Sequence, residues 1–221
     1  MTADQTMGAR SRFLLGDRIY LRPLEQGDLD LIQKWANDPE IRRLTGEVMP
    51  MSEAAAAEFL EKVRTDRDRV WFMIALRAND RVIGEAGLLR MFNPWRTTDL
   101  SLIIGEQDTW GKGYGTEAIL LLLDYAFGYL NFHRVSVGVV GFNERAIRLY
   151  EKVGFKREGI QREGYYQDHQ YHDFVLMSIL EDEFRMLCGR SDDLVDDALY
   201  QRCEQAGIAG LDLAGPAPEG S

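Results

Sequence analysis

The spacing of apolar positions along the chain switches repeatedly between the periods of helices and strands. Apolar residues recur at helical spacing in four segments, and they alternate or run unbroken in seven others. The switches between the two periods mark the boundaries of the predicted elements. In chain order the spacing predicts a strand at 18–22, helices at 25–37 and 53–66, strands at 70–76, 82–89 and 100–104, a helix at 119–130, a strand at 135–140, a helix at 143–153, and strands at 155–160 and 174–180.

The order of these elements, β-α-α-β-β-β-α-β-α-β-β, predicts an α+β fold around one mixed sheet. The runs 70–76 and 82–89, joined by the turn Asn79-Asp80, are typical of a hairpin in a sheet that is covered on both faces. The polar stretch Tyr166–Tyr171 is predicted to form the turn between the last two strands. The pattern weakens from Asp182 onward, so we expect a single folded domain.

Three regions are expected along the 221 residues. Residues 1–12 are polar and predict a disordered leader, without the apolar segment of a signal peptide. Residues 13–183 are expected to hold the folded domain. Residues 184–221 are expected to be an acidic extension, in which 193–205 predicts a short helix and the end, rich in Gly, Ala and Pro, predicts a flexible tail.

Composition narrows the classes of function. A content of 45% hydrophobic and 28% charged residues is typical of a globular protein, and no apolar run approaches the roughly 18 residues that span a bilayer. The net charge is −10, and residues 181–221 alone hold ten acidic and three basic residues. This acidity disfavours nucleic-acid binding. The two cysteines, Cys188 and Cys203, predict no disulfide framework and a reducing, cytoplasmic location.

The segment Trp110–Thr116, which we call the glycine segment, carries glycines at alternate positions and runs into a helical pattern. A glycine-rich turn at a helix N-terminus gathers backbone N–H groups and the positive end of the helix dipole, so it is suited to bind an anion. Lys112 adds a positive charge. The segment predicts a phosphorylated ligand, and a turn without a ligand is the alternative. Dinucleotide and nucleotide triphosphate sites fit less well, because the segment lies mid-chain behind a meander and no Lys-Ser or Lys-Thr pair follows a glycine.

Three stretches together resemble the GNAT-type N-acetyltransferases: Leu102–Ile104, Trp110–Ala118 and Asn143–Phe155. Within that superfamily the chain is most similar to the branch of ribosomal-protein N-terminal (RimJ/RimL-like) and spermidine acetyltransferases. The resemblance covers roughly residues 13–183. It implies a mixed, mostly antiparallel central sheet with helices on both faces, and it suggests a homodimer. At Trp110 the general pattern of the superfamily has Gln or Arg instead.

The resemblance implies that the ligand is coenzyme A, bound as acetyl-CoA. Its pyrophosphate would lie on backbone amides of the glycine segment, and its pantetheine arm would pair with the preceding strand like an added strand. Asn143 is placed to cap the following helix, and the resemblance adds a contact with the cofactor. The implied cofactor residues are Leu102, Ile103, Ile104, Trp110, Gly111, Lys112, Gly113, Tyr114, Gly115, Thr116 and Asn143.

Tyr150 is the main catalytic candidate that the resemblance implies, as the general acid that protonates the departing thiolate. A structural role is the alternative, because Tyr150 belongs to an apolar stripe with Leu149 and Val153 and can be a core aromatic residue. Glu85 is a carboxylate among apolar residues, and it can accept the amine proton through water as a general base. An exposed carboxylate at a strand edge is the alternative for Glu85.

The expected activity is direct transfer of the acetyl group of acetyl-CoA to a primary amine of a protein N-terminus or a small molecule. No Ser or Cys has a recognisable nucleophile context, and a pair of histidines in the last turn lacks further metal ligands. Glu47, Tyr166 and Asp173 lie in or beside segments expected to shape the acceptor site and would suit a cationic amine, although exposed loops carry carboxylates in any case. The alternative class is a non-catalytic acyl-CoA-binding module or sensor on the same fold.

Overall fold

A computed structural model describes residues 11–188, and the elements below belong to that part. The predicted leader before residue 11, and the predicted acidic extension and its helix after residue 188, lie outside the described residues. The strands are β1 (Leu14–Leu15), β2 (Ile19–Pro23), β3 (Val70–Leu76), β4 (Val82–Phe92), β5 (Thr97–Ile104), β6 (Arg134–Val140), β7 (Lys156–Gln167) and β8 (Gln170–Leu180). The helices are α1 (Leu29–Asn37), α2 (Pro39–Thr45), α3 (Glu53–Thr65), α4 (Tyr114–Asp124), α5 (Glu144–Lys152) and α6 (Glu181–Leu187).

The described strands form one sheet in the order β1-β2-β3-β4-β5-β6-β8-β7. Neighbouring strands are antiparallel except β5 and β6, which are parallel. The predicted α+β class with one mixed, mostly antiparallel sheet is therefore confirmed. β5 and β6 pair only between Thr97–Asp99 and Arg134–Ser136. Beyond these residues the two strands separate and leave a gap in the sheet.

Helices cover both faces of the sheet, as predicted. On one face, α4, α5 and α6 bury side chains such as Ile119, Tyr150 and Phe184. On the other face, α1, α2 and α3 bury a second cluster that includes Trp35 and Leu60. Each cluster takes alternate residues of the strands, because successive strand side chains point to opposite faces. Between residues 11 and 188, no helix is both long and apolar enough to cross a bilayer.

The helix α2 was not predicted from the sequence. The predicted helix at 25–37 ends where α1 ends, just before Asp38-Pro39. The same dipeptide also begins the next helix, since the Asp38 carboxylate accepts hydrogen bonds from the backbone N–H groups of Glu40 and Ile41, both at 3.0 Å. Proline is favoured in the first helical turn, where its missing N–H has no partner to lose. Asp38-Pro39 therefore both ends α1 and begins α2.

The last two strands are longer than predicted, and the turn predicted over Tyr166–Tyr171 is shorter than expected. Both strands continue through this stretch, so that Tyr166 pairs with Tyr171. The turn consists of Asp168 and His169, whose φ angles of 52° and 62° are left-handed. Tight hairpin turns with two left-handed residues favour Asp and match the twist of the strands. The polar composition marked a turn, but only its two central residues leave the ladder.

A buried carboxylate fastens α4 to the start of β2. Glu117, in the first turn of α4, is fully buried and accepts hydrogen bonds from the backbone N–H groups of Arg18 at 2.8 Å and Ile19 at 3.2 Å. The Arg18 guanidinium donates to the same carboxylate at 3.1 Å and to the Lys112 carbonyl at 2.8 Å. At Gly16 a Cβ atom would lie 2.4 Å from this carboxylate, so the glycine leaves the space it occupies. The glycine segment is thereby held against β2.

We expect Glu117→Ala to lower the free energy of unfolding by about 3 kcal/mol, because two backbone N–H groups lose their acceptor and the Arg18 guanidinium loses its anionic partner. Urea denaturation followed by circular dichroism measures the loss. Glu144→Ala is the matched control: Glu144 also lies in a first helical turn, but its ion pair with Arg148 is exposed and contributes under about 1 kcal/mol. Equal losses in the two variants would contradict the role given to Glu117.

Candidate active site

A cavity of about 670 Å³ lies at the gap between β5 and β6. Its walls come from α2, β5, the glycine segment with the start of α4, β6, α5 and one residue of β8. The predicted site residues that line it are Leu102, Ile103, Ile104, Trp110, Gly111, Gly113, Tyr114, Gly115, Thr116, Asn143 and Tyr150. The predicted site residues outside this lining are Glu47, Glu85, Lys112, Tyr166 and Asp173.

The glycine segment turns sharply before α4. Gly111 and Gly113 have φ angles of 78° and 83°, in the left-handed region that favours glycine. Gly113 is the N-cap of α4 and has no side chain that could accept from the N–H groups of the first turn. The next three residues, Tyr114–Thr116, line the cavity. Amides without an intrahelical acceptor and the positive end of the helix dipole therefore lie at the cavity wall.

Thr116 adds a hydroxyl to this wall. The residue is 2% exposed, and its hydroxyl oxygen has no hydrogen-bond partner among residues 11–188. A buried hydroxyl normally pairs, because leaving it unpaired costs about 1–3 kcal/mol. A phosphate oxygen is an acceptor that would satisfy it. The wall therefore fits the pyrophosphate of coenzyme A that the sequence analysis expected there.

Three cations that the sequence analysis did not single out line the same cavity, namely Arg145, Arg148 and Lys152 of α5. The Arg145 guanidinium lies over the Trp110 ring, 4.9 Å from its centroid, and the Trp110 indole donates to the Ile104 carbonyl at 2.6 Å. The spacing of the three cations by three and four residues, which places them on one helical face, was the available sequence signal. The α5 wall is therefore basic, although the chain is acidic.

Asn143 connects two walls of the cavity. Its side-chain oxygen accepts from the backbone N–H of Ala146 at 3.1 Å, which caps α5 as the sequence predicts. Its side-chain nitrogen donates to the Leu44 carbonyl near the end of α2, also at 3.1 Å. Both groups of one amide are thus used, and α2 is fixed relative to α5. The cofactor contact of Asn143 stays a prediction.

Tyr150 lies on α5, is 5% exposed and lines the cavity. Its ring packs edge-on against Phe155, with 5.2 Å between the centroids. Burial raises the pKa of the Tyr150 phenol above its ordinary value of 10.0. The phenol therefore keeps its proton at neutral pH. From the sequence, a catalytic role and a structural role in the core were alternatives for Tyr150. In the structure its side chain packs in the core and also lines the cavity.

Glu85 is buried, with 6% exposure, on β4 between β3 and β5. The alternative of an exposed edge carboxylate therefore does not hold. The Trp71 indole donates to one carboxylate oxygen at 2.7 Å, and no ion pair to Glu85 occurs within residues 11–188. Burial raises the pKa of Glu85 to about 7, against the lowering effect of the Trp71 hydrogen bond. The carboxyl is consequently half ionised near neutral pH.

A glycine allows the contact between Trp71 and Glu85. Gly87 pairs with Trp71 across β3 and β4, and a Cβ atom at Gly87 would lie 2.3 Å from the indole ring. The ring therefore crosses the strand at Gly87 to reach the Glu85 carboxylate two pairs further along the ladder. On its other side, Glu85 pairs with Ile103, which lines the cavity. Glu85 thus lies one strand away from the cavity.

The residues predicted to bind the acceptor do not meet at the cavity. The Asp173 carboxylate accepts from the backbone N–H of Glu163 at 2.9 Å, and Tyr166 packs on Tyr171 near the exposed tip of the β7–β8 hairpin, with 4.9 Å between the ring centroids. Glu47 follows α2 and is exposed. The roles of Glu47, Tyr166 and Asp173 in acceptor binding stay predictions.

Four residues that the sequence analysis did not name as site residues form the wall on the side of α2: Ile41, Leu44, Thr45 and Phe174. Two of them, Leu44 and Thr45, lie just before Glu47, near which the sequence predicts the acceptor site, but α2 itself was not predicted. Ile41 is buried in the cluster of α1–α3, whereas Tyr150 belongs to the cluster on the opposite face. The cavity therefore passes through the gap and joins the two faces of the sheet.

Residues 18–156 match the family model described as Acetyltransferase (GNAT) domain. The spermidine N(1)-acetyltransferase of Vibrio cholerae is 29% identical over 170 residues, which cover 77% of this chain and 97% of that protein. The uncharacterized N-acetyltransferase p20 of Bacillus licheniformis is 26% identical over 175 residues, with the same shares of each chain.

Among solved structures, the spermidine N-acetyltransferase from Vibrio cholerae in complex with CoA and spermine has a TM-score of 0.72 and 29% identity, and the match covers 76% of this chain and 98% of that chain. The fold, the cavity with its wall of free backbone amides and these relatives all indicate the same family. The chain therefore belongs to the GNAT family of acetyltransferases, as an N-acetyltransferase that uses acetyl-CoA.

Proposed function

We propose that this enzyme transfers the acetyl group directly to a primary amine, with Tyr150 as the general acid and Glu85 as the general base. The observation that carries the proposal is that one cavity holds both an anion-binding wall and a buried phenol with a raised pKa. The names of the relatives, which are spermidine acetyltransferases and uncharacterized N-acetyltransferases, support an amine acceptor.

The cofactor half of the cavity fits the arrangement expected from the sequence. Acetyl-CoA supplies a thioester carbonyl that an amine can attack. We propose that the amides at Gly111–Thr116, the Thr116 hydroxyl and Arg145 hold its pyrophosphate. β5 pairs with β6 only up to Asp99, so the backbone of Leu102–Ile104 faces the gap and is available to an amide-bearing arm.

Two proton movements complete the reaction. Tyr150 holds a proton that burial keeps on the phenol, and it passes this proton to the departing thiolate. Glu85 has a pKa of about 7, near the pH at which a general base works best. Since Ile103 lies between Glu85 and the cavity, we propose that a water molecule carries the amine proton to the Glu85 carboxylate.

The finer expectations from the sequence stay predictions. These are a protein N-terminus as the acceptor, the closer kinship with the ribosomal-protein N-terminal branch, a homodimer and a cytoplasmic location. Acetyl transfer itself is tested by incubating the protein with acetyl-CoA and panels of peptides, polyamines and aminoglycosides, and following thiol release. We expect release above the rate without amine. Silence across all panels would contradict the proposal, and tight CoA binding without turnover would support a non-catalytic acyl-CoA-binding module.

We expect Tyr150→Phe to lower kcat by about 10²-fold with little change in the KM for acetyl-CoA, because the variant keeps the ring but lacks the proton. Steady-state thiol release measures both constants. Tyr125→Phe is the control: Tyr125 is half-buried against Phe13 and Phe72 and lies outside the cavity lining. An unchanged kcat in Tyr150→Phe would remove the phenol from the mechanism.

We expect Glu85→Gln to lower kcat/KM and to abolish a loss of activity that the unaltered enzyme shows as pH falls below about 7, where Glu85 becomes protonated. Stability gives a readout without turnover. The folded pKa lies above the ordinary value of 4.5, so the unaltered protein loses stability as pH rises from about 4.5 to about 7. The gain in Tm from Glu85→Gln should therefore be larger at pH ~8 than at pH ~5.

The exposed Glu58→Gln, which removes an ion pair with Lys62 on α3, is the control for this pH dependence and should show no such gain. If Glu85→Gln is no more stable at the higher pH, the raised pKa is wrong. If the stability change appears but kcat/KM keeps its full value, Glu85 is buried without being the base.

A further inference from the structure

The wall of the cavity on the side of α2 is uncharged. It consists of apolar side chains and one threonine, namely Ile41, Leu44, Thr45 and Phe174. The Thr45 hydroxyl donates to the Ile41 carbonyl at 2.9 Å, so even this polar group is already used. Two large apolar residues, Val48 and Met49, follow α2 in the chain and are 61% and 72% exposed. An acceptor that enters here meets an apolar surface.

No carboxylate from residues 11–188 lines the cavity. The charged residues of the lining are Arg145, Arg148 and Lys152, all cations of α5. An ammonium group that leaves water needs an anionic partner, because an unpaired desolvated charge is costly. A molecule with several ammonium groups would therefore find no anionic partner along the uncharged wall.

The carboxylates around the cavity are already engaged or set apart from it. The Glu40 carboxylate is 3.0 Å from the Arg43 guanidinium, and the Asp173 carboxylate accepts a backbone N–H at 2.9 Å. Glu47 and Asp168 act on Tyr165, where their charges and burial raise the pKa of the phenol, and neither lines the cavity. The Glu144 carboxylate, beside the lining, is 2.8 Å from the Arg148 guanidinium, and Glu85 lies one strand away from the cavity, where a single carboxylate suits one amine.

From this distribution of charge we infer that the acceptor carries a single primary amine on an uncharged, largely apolar body. This inference rests on the proposed transfer to an amine and narrows its substrate class. It separates this enzyme from its relatives named as spermidine acetyltransferases, whose substrate carries several amines. The cofactor wall and the uncharged acceptor wall are different surfaces. This enzyme can therefore share its cofactor with these relatives and differ from them in its acceptor.

Hexylamine and hexamethylenediamine test the inference, because they share one carbon chain and differ by a second ammonium group. We expect kcat/KM for hexylamine to exceed that for hexamethylenediamine by roughly tenfold or more, and spermidine to be poorer still. Thiol release from acetyl-CoA measures all three. An equal or higher kcat/KM for the diamine or for spermidine would overturn the inference.

A gain-of-function variant provides a second test. Thr45→Glu places a carboxylate on the uncharged wall, and we expect it to shift the ratio of kcat/KM toward the diamine by about tenfold. Thr65→Glu is the matched control, since Thr65 also ends a helix and donates to the carbonyl four residues earlier, but it lies on α3 outside the cavity. An equal shift in both variants, or none in Thr45→Glu, would overturn the inference.

Binding separates this inference from the proposed function. Titration calorimetry of the CoA-saturated protein with each of the two amines needs no turnover. Tighter binding of hexylamine supports the uncharged acceptor class even if no thiol is released, in which case the proposed transfer has failed by itself. Tighter binding of the diamine, or binding of neither amine, overturns the inference whatever the turnover.

Discussion

The parallel pairing of β5 with β6 is the constraint on which the rest of the structure depends. Parallel neighbours need a long crossover, and here the glycine segment and α4 make it. The crossover puts an anion-binding turn at the end of β5 and a helix N-terminus beside the gap. Because the pairing stops after Asp99, the same two strands that carry the turn also open the cavity. Glu117 then fixes the crossover to β2 through two backbone N–H groups and Arg18.

Burial acts on two ionisable groups with opposite chemical results. Desolvation disfavours the charged form of both the Tyr150 phenol, with an ordinary pKa of 10.0, and the Glu85 carboxyl, with an ordinary pKa of 4.5. Tyr150 therefore holds its proton more firmly, whereas Glu85 is moved to a pKa of about 7, where it can take a proton and give it up. Tyr150 on α5 and Glu85 on β4 lie at opposite faces of the sheet, and the cavity in the gap between β5 and β6 joins these two faces.

Local signals account for what the sequence could predict. The glycine segment, the cap at Asn143 and the stripe around Tyr150 each need only a few adjacent residues, and each has its predicted local structure. Asp38-Pro39 was ambiguous, because the dipeptide ends one helix and begins the next. The environment of Glu85 needs the register between β3 and β4, which brings Trp71 over Gly87. No pattern within one strand specifies that contact, so the burial of Glu85 and its pKa could not be predicted.

The two halves of the cavity come from different parts of the sequence. This difference decides which half can be inferred from related enzymes. The wall proposed to bind the cofactor is built from three contiguous motifs at Leu102–Ile104, Trp110–Thr116 and Asn143–Tyr150, all within the residues that match the family model. The wall proposed to bind the acceptor combines α2, which lies within that match, with Phe174 of β8, which lies beyond it. Only the tertiary fold joins them, in part through the Asn143 amide that bonds α2. Relatives at 26–29% identity can therefore share the cofactor wall and differ in the acceptor wall. In the acceptor wall, the gain or loss of one carboxylate changes which amine can bind without leaving a buried charge unpaired.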